Sequence, residues 1–279
     1  MRPDPISARL QPKGCADVVD SHGQKREIDE RLYLQSLARA LDVLESFDPS
    51  GRQMTLSEIA KAVGAHKSAI HRTVQTLLFR DYLREGDDKG YMLGSRVLDL
   101  TFEYLRTHPY IIRATPVMAE LRRNVGERVD FSLFDYTTIV YAVRMQSKRE
   151  TLNASLVGRR LKSFATSGGR ACMALLPDAL VEDILERHPR TRLTPDTIID
   201  LPTLMERVRQ ARRDRYSMAI GEYLPGEIVV AAPVRGANGL PVGAIHIAGL
   251  QSELSPEHMR EAIVPLLLEA VRAVELSNA

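Results

Sequence analysis

Tryptophan is absent from the 279 residues, and cysteine occurs only twice, as Cys15 and Cys172. Cys15 lies in a polar N-terminal stretch and Cys172 in an apolar run, so the sequence offers neither a disulfide framework nor a CxxC metal site. Two reduced thiols are expected. We predict that the chain holds no metal ion and needs no cofactor.

Long apolar runs are also missing. No segment approaches the roughly 18 to 20 consecutive apolar residues that a membrane-spanning helix needs, and residues 1–27 lack the apolar core of a signal peptide. The sequence therefore predicts a cytoplasmic protein without a membrane partner. Its hydrophobic content of 44% suffices for packed cores in one large or two ordinary domains.

A strong excess of charge is missing as well, since 38 Lys and Arg face 36 Asp and Glu. Nucleic-acid binders often carry a strongly basic face, and a net charge of +2 gives no sign of one. Only local sequence patterns can therefore indicate DNA binding.

The first part of the chain is predicted to be helical after a polar tail. Residues 1–30 show no apolar periodicity, which favours a disordered tail. Apolar residues then recur at three- and four-residue spacing after Ser36, a candidate helix cap, and predict a first helix with a single buried stripe. That stripe contains Leu37, Ala40, Leu41, Leu44 and Phe47.

The next two predicted helices have the pattern of a helix-turn-helix. Thr55 and Glu58 form a capping-box pattern that predicts a helix over residues 56–63, which Gly64 ends. A third helix is predicted over residues 66–80. A helix-turn-helix needs a small residue at the crossing, a turn residue that tolerates positive φ and a branched apolar anchor, which Ala60, Gly64 and Ile70 provide.

A hairpin and a further helix complete this half of the chain. Residues 82–84 and 91–93 flank a charged, glycine-bounded tip and predict a hairpin, so residues 31–94 are predicted to be a winged helix-turn-helix domain, mainly α. The amphipathic segment that follows ends at His108-Pro109 and is interpreted as a linker helix within residues 95–109. A second, α+β domain is predicted over residues 110–279.

The second domain alternates between predicted strands and helices. Thr115 and Pro116 are predicted to begin its first helix, which Gly126 closes. Strands are predicted over residues 128–134, 138–145, 151–157, 216–221, 228–234 and 241–248, and helices over residues 167–176, 178–188, 201–213 and 255–277. The expected assembly is an antiparallel sheet flanked by helices.

The third helix presents a local basic face that fits a DNA reader. Residues 59–80 contain four Lys or Arg and no acidic residue, and such a face suits base edges and phosphates of the major groove. An ordinary solvated helical face is the alternative for each residue. The candidate DNA contacts are Thr55, Lys67, Ser68, His71, Arg72 and Gln75, with Arg84 and Lys89 on the wing. The nearly neutral domain favours two or more copies on double-stranded DNA.

Several ordered motifs resemble the IclR (isocitrate lyase regulator) family of bacterial transcription regulators. In the first domain they are SLARALDVLESF (residues 36–47), LSEIAKAVGAHKSAIHRTVQTL (56–77) and YMLGSRVLDL (91–100). In the second they are VGRRLKSFATSGGRACMALLP (157–177), GEYLPGEIVVAAPV (221–234) and GLPVGAIHIAG (239–249). The wording at residues 36–47 and 166–171 is most similar to the branch that regulates aromatic-acid catabolism.

The resemblance implies a winged helix-turn-helix, a linker helix used in dimerisation and a GAF-like domain that binds a small effector. Family members commonly act as dimers or tetramers that repress or activate catabolic operons. Three departures stand out. Ala69 replaces a usual Thr, Arg215 replaces a usual turn Gly, and Gly168-Gly169-Arg170 replaces the commoner Ala-X-Gly-Lys wording.

A GAF-like fold implies an effector pocket between the sheet and the segment 158–171. Residues 166–169 open a helix whose N–H groups are candidates for holding a carboxylate, so a small organic acid is the hypothesis. The candidate contacts are Phe131, Tyr141, Met145, Thr166, Ser167, Gly168, Gly169, Arg170, Glu222, Ala231, Pro233 and His246. The alternatives are a plain helix cap at Thr166, a core role for His246 and an ion pair between Glu222 and a neighbouring Arg.

Two other functions are alternatives to regulation. The motifs GxSxG and HExxH and the P-loop are absent, so an enzyme would have to assemble Cys172 with His188 or His246, and the apolar setting of Cys172 favours a buried thiol. The near-zero net charge argues against a DNA-compacting protein. We therefore predict a regulator and not an enzyme.

Overall fold

The computed structural model describes residues 29–47, 51–87, 89–147, 157–187 and 189–276. Most of the predicted tail and residues 151–156 of a predicted strand lie outside these ranges. Internal contacts divide the chain into two compact units, Met1–Tyr104 and Leu105–Ala279.

The first unit is a three-helix core with a β-hairpin. Its helices are α1 (Gln35–Glu45), α2 (Leu56–Val63) and α3 (Lys67–Phe79), and its strands are β1 (Leu83–Glu85) and β2 (Tyr91–Leu93). The strands pair antiparallel, and Met54 forms an isolated bridge with Tyr91. Ile59, Ile70, Val74 and Leu83 are buried in the shared core. The predicted helix-turn-helix and hairpin are confirmed.

Local chemistry fixes the ends of α2. The Thr55 hydroxyl accepts the Glu58 N–H at 3.3 Å, and the Glu58 carboxylate accepts the Thr55 N–H at 2.8 Å. Gly64 caps the C-terminus with φ 68°, a left-handed conformation that glycine adopts without steric cost. The capping box and the glycine stop therefore lie where the sequence predicted them.

The prediction for α1 needs two corrections. The cap position is Leu34, one residue before the helix, and Ser36 lies inside the first turn. Leu37 and Leu41 are 57% and 50% exposed, while Val43 is fully buried. Leu44 and Phe47 pack against the core of this unit together with Val43, as the stripe predicted for the first two. The N-terminal part of the predicted stripe, Leu37 and Leu41, is left uncovered.

Two helices connect the three-helix core to the sheet. Helix α4 spans Arg96–Thr107 and contains the boundary between the two units, and α5 spans Pro109–Val125. The predicted start at Thr115 and Pro116 is wrong. Pro109 occupies the first turn, where its missing N–H costs nothing, and Pro116 is tolerated inside the helix while the Thr115 hydroxyl donates to the Ile111 carbonyl at 2.7 Å.

The second unit contains a six-stranded antiparallel sheet. The strands are β3 Arg128–Asp135, β4 Thr138–Met145, β5 Arg160–Lys162, β6 Ser217–Ile220, β7 Glu227–Arg235 and β8 Pro241–Leu250. Their order in the sheet is β5-β4-β3-β8-β7-β6, so the two long hairpins β3–β4 and β7–β8 meet at its centre. The short strand β5 was not predicted.

Helices supply the remaining bulk of this unit. They are α6 (Ser167–Met173), α7 (Asp178–Glu186), α8 (Leu201–Asp214), α9 (Pro256–His258) and α10 (Val264–Leu276). The single helix predicted over residues 255–277 is interrupted by a π-helical turn at Met259–Ile263. One large core joins the sheet to α5 and α10, and a second joins α6, α7 and α8.

Candidate functional site

Helix α3 presents its predicted polar face to solvent. Ile70, Val74 and Leu77 are buried, and the opposite face is exposed. The exposed residues include Lys67, Ser68, His71, Arg72 and Gln75, all of which the sequence analysis named as candidates. This face carries no acidic side chain, so its cations are not neutralised within α3.

The remaining candidate DNA contacts lie outside α3. Arg84 and Lys89 are exposed on the hairpin, and Lys89 adopts a positive φ of 55°. Thr55 is exposed, but its hydroxyl also donates to the Glu58 carboxylate at 2.9 Å. The Thr55 N–H and Arg52 lower the pKa of Glu58 to about 2, so this carboxylate stays charged and keeps the cap formed.

A small cleft lies between the sheet and α6 in the second unit. It has a cavity volume of about 30 Å³, room for about one or two water molecules. Its lining residues are Tyr141, Leu161, Ala165, Thr166, Ser167, Ala219, Gly221, Glu222, Tyr223, Leu224, Glu227, Val229 and His246. Five of the twelve predicted effector residues belong to this set.

Arg170 and Glu222 form a buried ion pair beside the cleft. Arg170 is fully buried in α6, and its two terminal nitrogens donate to the two Glu222 carboxylate oxygens at 2.5 and 2.8 Å. The same guanidinium also donates to Ser217 Oγ and the Met218 carbonyl. Arg170 is therefore engaged by protein groups, as the ion-pair alternative for Glu222 expected.

Two buried threonines hold the loop that carries Glu222. Thr194 Oγ1 donates to the Gly221 carbonyl and Thr197 Oγ1 to the Glu222 carbonyl, each at 2.7 Å. Gly221 and Gly226 bound this loop and both adopt positive φ. Hydrogen bonds to the two threonines thus hold the loop in place, and a glycine stands at each of its ends.

Close packing accounts for the paired glycines of α6. A Cβ at Gly168 would lie 2.0 Å from His246 Cε1, and one at Gly169 would lie 2.3 Å from the Ser163 carbonyl oxygen. Both distances are far below van der Waals contact. Gly168 and Gly169 therefore let α6 approach the sheet and the turn before it, while Thr166 caps the helix by accepting the Gly169 N–H.

His246 is a neutral group in the wall of the cleft. It is 1% exposed, its Nε2 lies 2.7 Å from Ser132 Oγ, and its ring packs 5.5 Å from that of Tyr141. Burial, together with the charge of Arg128, lowers the pKa of His246 to about 3. Burial also raises the pKa of the Tyr141 hydroxyl.

A charged network borders the same wall. Arg128 donates to Asp130 at 2.9 Å and to Glu227 at 2.7 Å. Burial disfavours the charged form of Arg128, but Glu227 and Asp130 reverse this and raise its pKa. Burial raises the pKa of Asp130. No lysine or arginine is among the residues that line the cleft in the described chain.

Other predicted effector residues lie elsewhere. Phe131 and Met145 belong to the large core with α5 and α10, because strand alternation turns them to the opposite face of the sheet. Ala231 packs with Cys172 and Ala244 beneath α6. Pro233 lines a separate groove. The spacing along each strand did not reveal which face meets the cleft.

The cleft also contains residues that sequence reasoning missed. Most come from the loop and strand that follow β6, among them Tyr223, Leu224 and Glu227. Their one sequence signal is the pair Gly221 and Gly226, which brackets a short loop between two strands. The placement of that loop over α6 depends on tertiary packing.

Comparison with known proteins assigns the family. Residues 102–276 match the family model described as "Bacterial transcriptional regulator IclR C-terminal", and residues 36–87 match the "IclR helix-turn-helix domain". The chain belongs to the IclR family of bacterial transcription regulators. The resemblance seen in the sequence motifs is confirmed, together with the two-domain fold class and the prediction of a regulator.

Individual IclR-family proteins match over most of the chain. The p-hydroxybenzoate hydroxylase transcriptional activator of Acinetobacter baylyi is 27% identical over 257 residues, which are 90% of this chain and 94% of that protein. The crystal structure of an IclR family transcriptional regulator from Brucella abortus has a TM-score of 0.77 and 27% identity and covers 95% of this chain and 99% of its own.

One structural relative contains a ligand. An IclR homolog from Microbacterium hydrocarbonoxydans, crystallised as a complex with 4-hydroxybenzoate, has a TM-score of 0.73 and 25% identity. It covers 87% of this chain and 98% of its own. Ligand binding is thus a property of a structural relative with a closely similar fold.

Three further observations concern the IclR-family chain itself. Cys172 is fully buried, and burial raises the pKa of its thiol, which disfavours the reactive thiolate. Within the described ranges no group of three or more His, Cys, Asp or Glu is arranged to hold a metal ion. Over the same residues no helix is both long and apolar enough to span a membrane.

Proposed function

We propose that this IclR-family regulator binds double-stranded operator DNA through α3 and the hairpin. A small organic acid bound in the cleft acts as the effector that changes its DNA affinity. The exposed face of α3, basic and without acidic residues, is the observation that carries the proposal. The regulated genes belong to a catabolic operon, and the similarity to the p-hydroxybenzoate hydroxylase transcriptional activator supports this proposal. The regulator acts in the cytoplasm.

Arg72 and Gln75 are the proposed readers of base edges, since both lie on the exposed face of α3 and both side chains can form two hydrogen bonds to a base. Lys67, Ser68 and His71 hold phosphates nearer the start of the helix. Arg84 and Lys89 on the hairpin reach the flanking backbone. The first unit lacks a large positive charge, so stable binding requires two or four copies on related half-sites.

The effector is a small organic acid, and 4-hydroxybenzoate is the first candidate because a structural relative binds it. Tyr141, Thr166, Ser167 and His246 supply neutral polar groups to the cleft. Glu222 lies at its edge, positioned by Arg170. The carboxylate is recognised by hydroxyl, imidazole and backbone groups. Glu222 and Glu227 also line the cleft, and their charges are paired with Arg170 and Arg128.

Binding of an aromatic acid requires the cleft to open. A cavity of about 30 Å³ cannot hold a benzene ring. The loop over residues 221–226 is the element that moves, because glycines with positive φ bound it and its residues line the cleft. Opening exchanges the threonine hydrogen bonds and the Arg170–Glu222 contact that hold this loop for contacts with the ligand. A ligand that favours the open loop shifts the population of states and so changes DNA affinity.

Helix α4 transmits the change because it passes from one unit into the other. The chain in this segment is continuous helix from Arg96 to Thr107, which couples the ends more tightly than a flexible linker would. Breaking the helix with a glycine pair at residues 100 and 101 should leave operator and effector binding intact but abolish the response. An unchanged response would exclude α4 as the connection.

Nuclease footprinting on the DNA that flanks the gene tests the proposal directly. The wild-type chain should protect symmetric half-sites, and 4-hydroxybenzoate or another organic acid should alter the protection. Arg72→Ala should remove specific protection, while Arg207→Gln, an exposed change on α8 of the other unit, should not. Equal protection of unrelated DNA would contradict sequence-specific regulation.

Calorimetry tests the cleft separately from DNA. Titration with aromatic and aliphatic acids should give heat with at least one of them, and Tyr141→Phe should weaken that binding by roughly tenfold through loss of one buried hydrogen bond. Arg207→Gln serves again as the control. Absence of heat with every acid would count against an organic-acid effector.

A further inference from the structure

A second, larger concavity lies in the C-terminal unit and shares no residue with the cleft. Its volume is about 450 Å³, against about 30 Å³ for the cleft. The end of α6, the ends of α8 and β7, and one face of α10 form its walls. The lining residues are Ala174, Leu175, Ala211, Arg212, Arg215, Pro233, Arg235, Gly239, Leu268, Val271, Arg272 and Glu275. We call it the arginine groove.

Positively charged residues outnumber negatively charged ones in the arginine groove, since four arginines and the single acidic residue Glu275 line it. Arg212 is occupied, since its guanidinium donates to Asp178 and to the Ala174 and Leu176 carbonyls. The other three are Arg215, Arg235 and Arg272. Within the described residues none of their guanidiniums forms an ion pair or a hydrogen bond.

Glu275 does not neutralise these three cations by a direct ion pair. Its Oε1 accepts the backbone N–H of Arg235 at 2.8 Å, which fixes the end of β7 against α10. An excess of positive charge therefore remains on a surface that is concave, so the field of the arginines is concentrated toward a bound anion.

The rest of the wall is apolar. Leu175, Ala211, Leu268 and Val271 contribute aliphatic carbon, and Pro233 adds a ring without a donor. Val271 and Ala211 are buried, so this wall is part of the packed unit and is in place before any ligand binds. A concave apolar wall beside a few converging charged groups is the usual construction of a small-molecule site.

Arg215 is held in an unfavourable backbone conformation within this groove. Its φ is 66° at the C-cap of α8, where glycine would meet no steric penalty. The long cationic side chain at this position borders the groove. An arginine that the left-handed turn does not favour therefore stands at this position and adds one of the groove's positive charges.

We propose that the arginine groove binds a small amphipathic carboxylic acid, at a site separate from the effector cleft. Arg215, Arg235 and Arg272 hold the carboxylate by charge-assisted hydrogen bonds. The apolar body of the ligand lies against Leu268 and Val271. A fully polar anion would leave that wall uncovered, and a neutral apolar molecule would leave the arginines unused.

Titration calorimetry on the full chain with octanoate as the probe tests the site. Octanoate should bind, while octanamide, which is neutral, and sulfate, which lacks an apolar body, should bind at least tenfold more weakly. The double substitution Arg235→Gln with Arg272→Gln should weaken octanoate binding by roughly tenfold or more. Arg207→Gln, which removes an exposed arginine of α8 outside the groove, should leave the affinity unchanged.

Further measurements separate this site from the cleft and from an interface. Tyr141→Phe should not affect octanoate binding, and if it alone weakens that binding, the ligand occupies the cleft and the proposal is overturned. Sedimentation should show the same oligomeric state for the double variant and the wild type. A change in that state without octanoate binding would assign the groove to contact between copies, and no octanoate binding at all would equally overturn the proposal.

Discussion

Arg170 and Glu222 form a buried ion pair in which both carboxylate oxygens accept hydrogen bonds from one guanidinium. Arg170 lies in α6 and Glu222 in the loop after β6. The pair therefore joins the helix on one side of the cleft to the loop that also lines it. The sequence predicted both residues at the effector site and left an ion pair between Glu222 and a neighbouring Arg as the alternative. Their contact makes Arg170 a positioning residue for that loop.

Loss of the Glu222 carboxylate should destabilise the second unit. In Glu222→Ala the buried guanidinium loses its partner, and breaking a buried pair from one side costs about 3–5 kcal/mol. Urea unfolding followed by circular dichroism measures the change. Glu222→Gln should recover part of it because an amide oxygen still accepts one hydrogen bond.

The matched control for this pair is Glu206→Gln, which breaks the exposed ion pair with Arg213. Water screens that pair, so little change in stability is expected. Equal effects of Glu222→Ala and Glu206→Gln would show that the Arg170–Glu222 pair does not hold the loop in place.

The neutral state of His246 should make stability depend on pH. The unfolded chain takes up this proton below its ordinary pKa of 6.5, whereas the folded chain does so only near pH 3. Between these values the unfolded state binds more protons, so stability should fall as pH falls, by up to about 1.4 kcal/mol per pH unit. Above pH 6.5 the contribution is fully present.

His246→Gln should remove this slope from the urea unfolding free energies between pH 6.5 and pH 4. Burial raises the pKa of Asp130, which contributes with the opposite sign, so the variant and the wild type must be compared at each pH. If the unfolding free energies of the variant and the wild type run parallel as pH changes, His246 takes up a proton in the folded state as readily as in the unfolded one.

Thr55 is expected to act mainly through the helix cap. Thr55→Ala should destabilise the first unit by about 1 kcal/mol, because α2 loses its side-chain cap. Thr55→Ser should retain most of the stability. Urea unfolding measures this, and operator binding at a temperature where both variants are folded separates capping from contact. A large loss of operator affinity in Thr55→Ala with unchanged stability would instead identify Thr55 as a direct DNA contact.

The exposed apolar residues of α4 should support self-association. Leu98 and Phe102 are 68% and 63% exposed and lie four residues apart on one helix face. Replacing both by Gln should weaken self-association by roughly tenfold or more, since apolar burial between copies is lost. Sedimentation equilibrium measures the effect, and Leu250→Gln, another exposed position, is the control. An unchanged association constant would exclude this face.

The sequence by itself determined the elements whose signals are local. The capping box at Thr55 and Glu58, the stop at Gly64 and the polar face of α3 all depend on residues a few positions apart. Five of the six strands predicted in the second domain follow from alternating apolar residues and turn signals, and the family follows from ordered motifs. These features need no distant partner.

The tertiary structure decided every feature that joins distant segments. The local pattern predicts that Leu37 is a core residue and that Pro116 begins a helix. In the packed unit Leu37 is exposed and Pro116 lies inside α5. The packing of α6 on one face of the sheet left Phe131 on the opposite face, and the loop of Glu222 was brought onto Arg170, 52 residues earlier in the chain. Such contacts depend on which sheet face meets which helix, and alternation within a strand leaves that choice open.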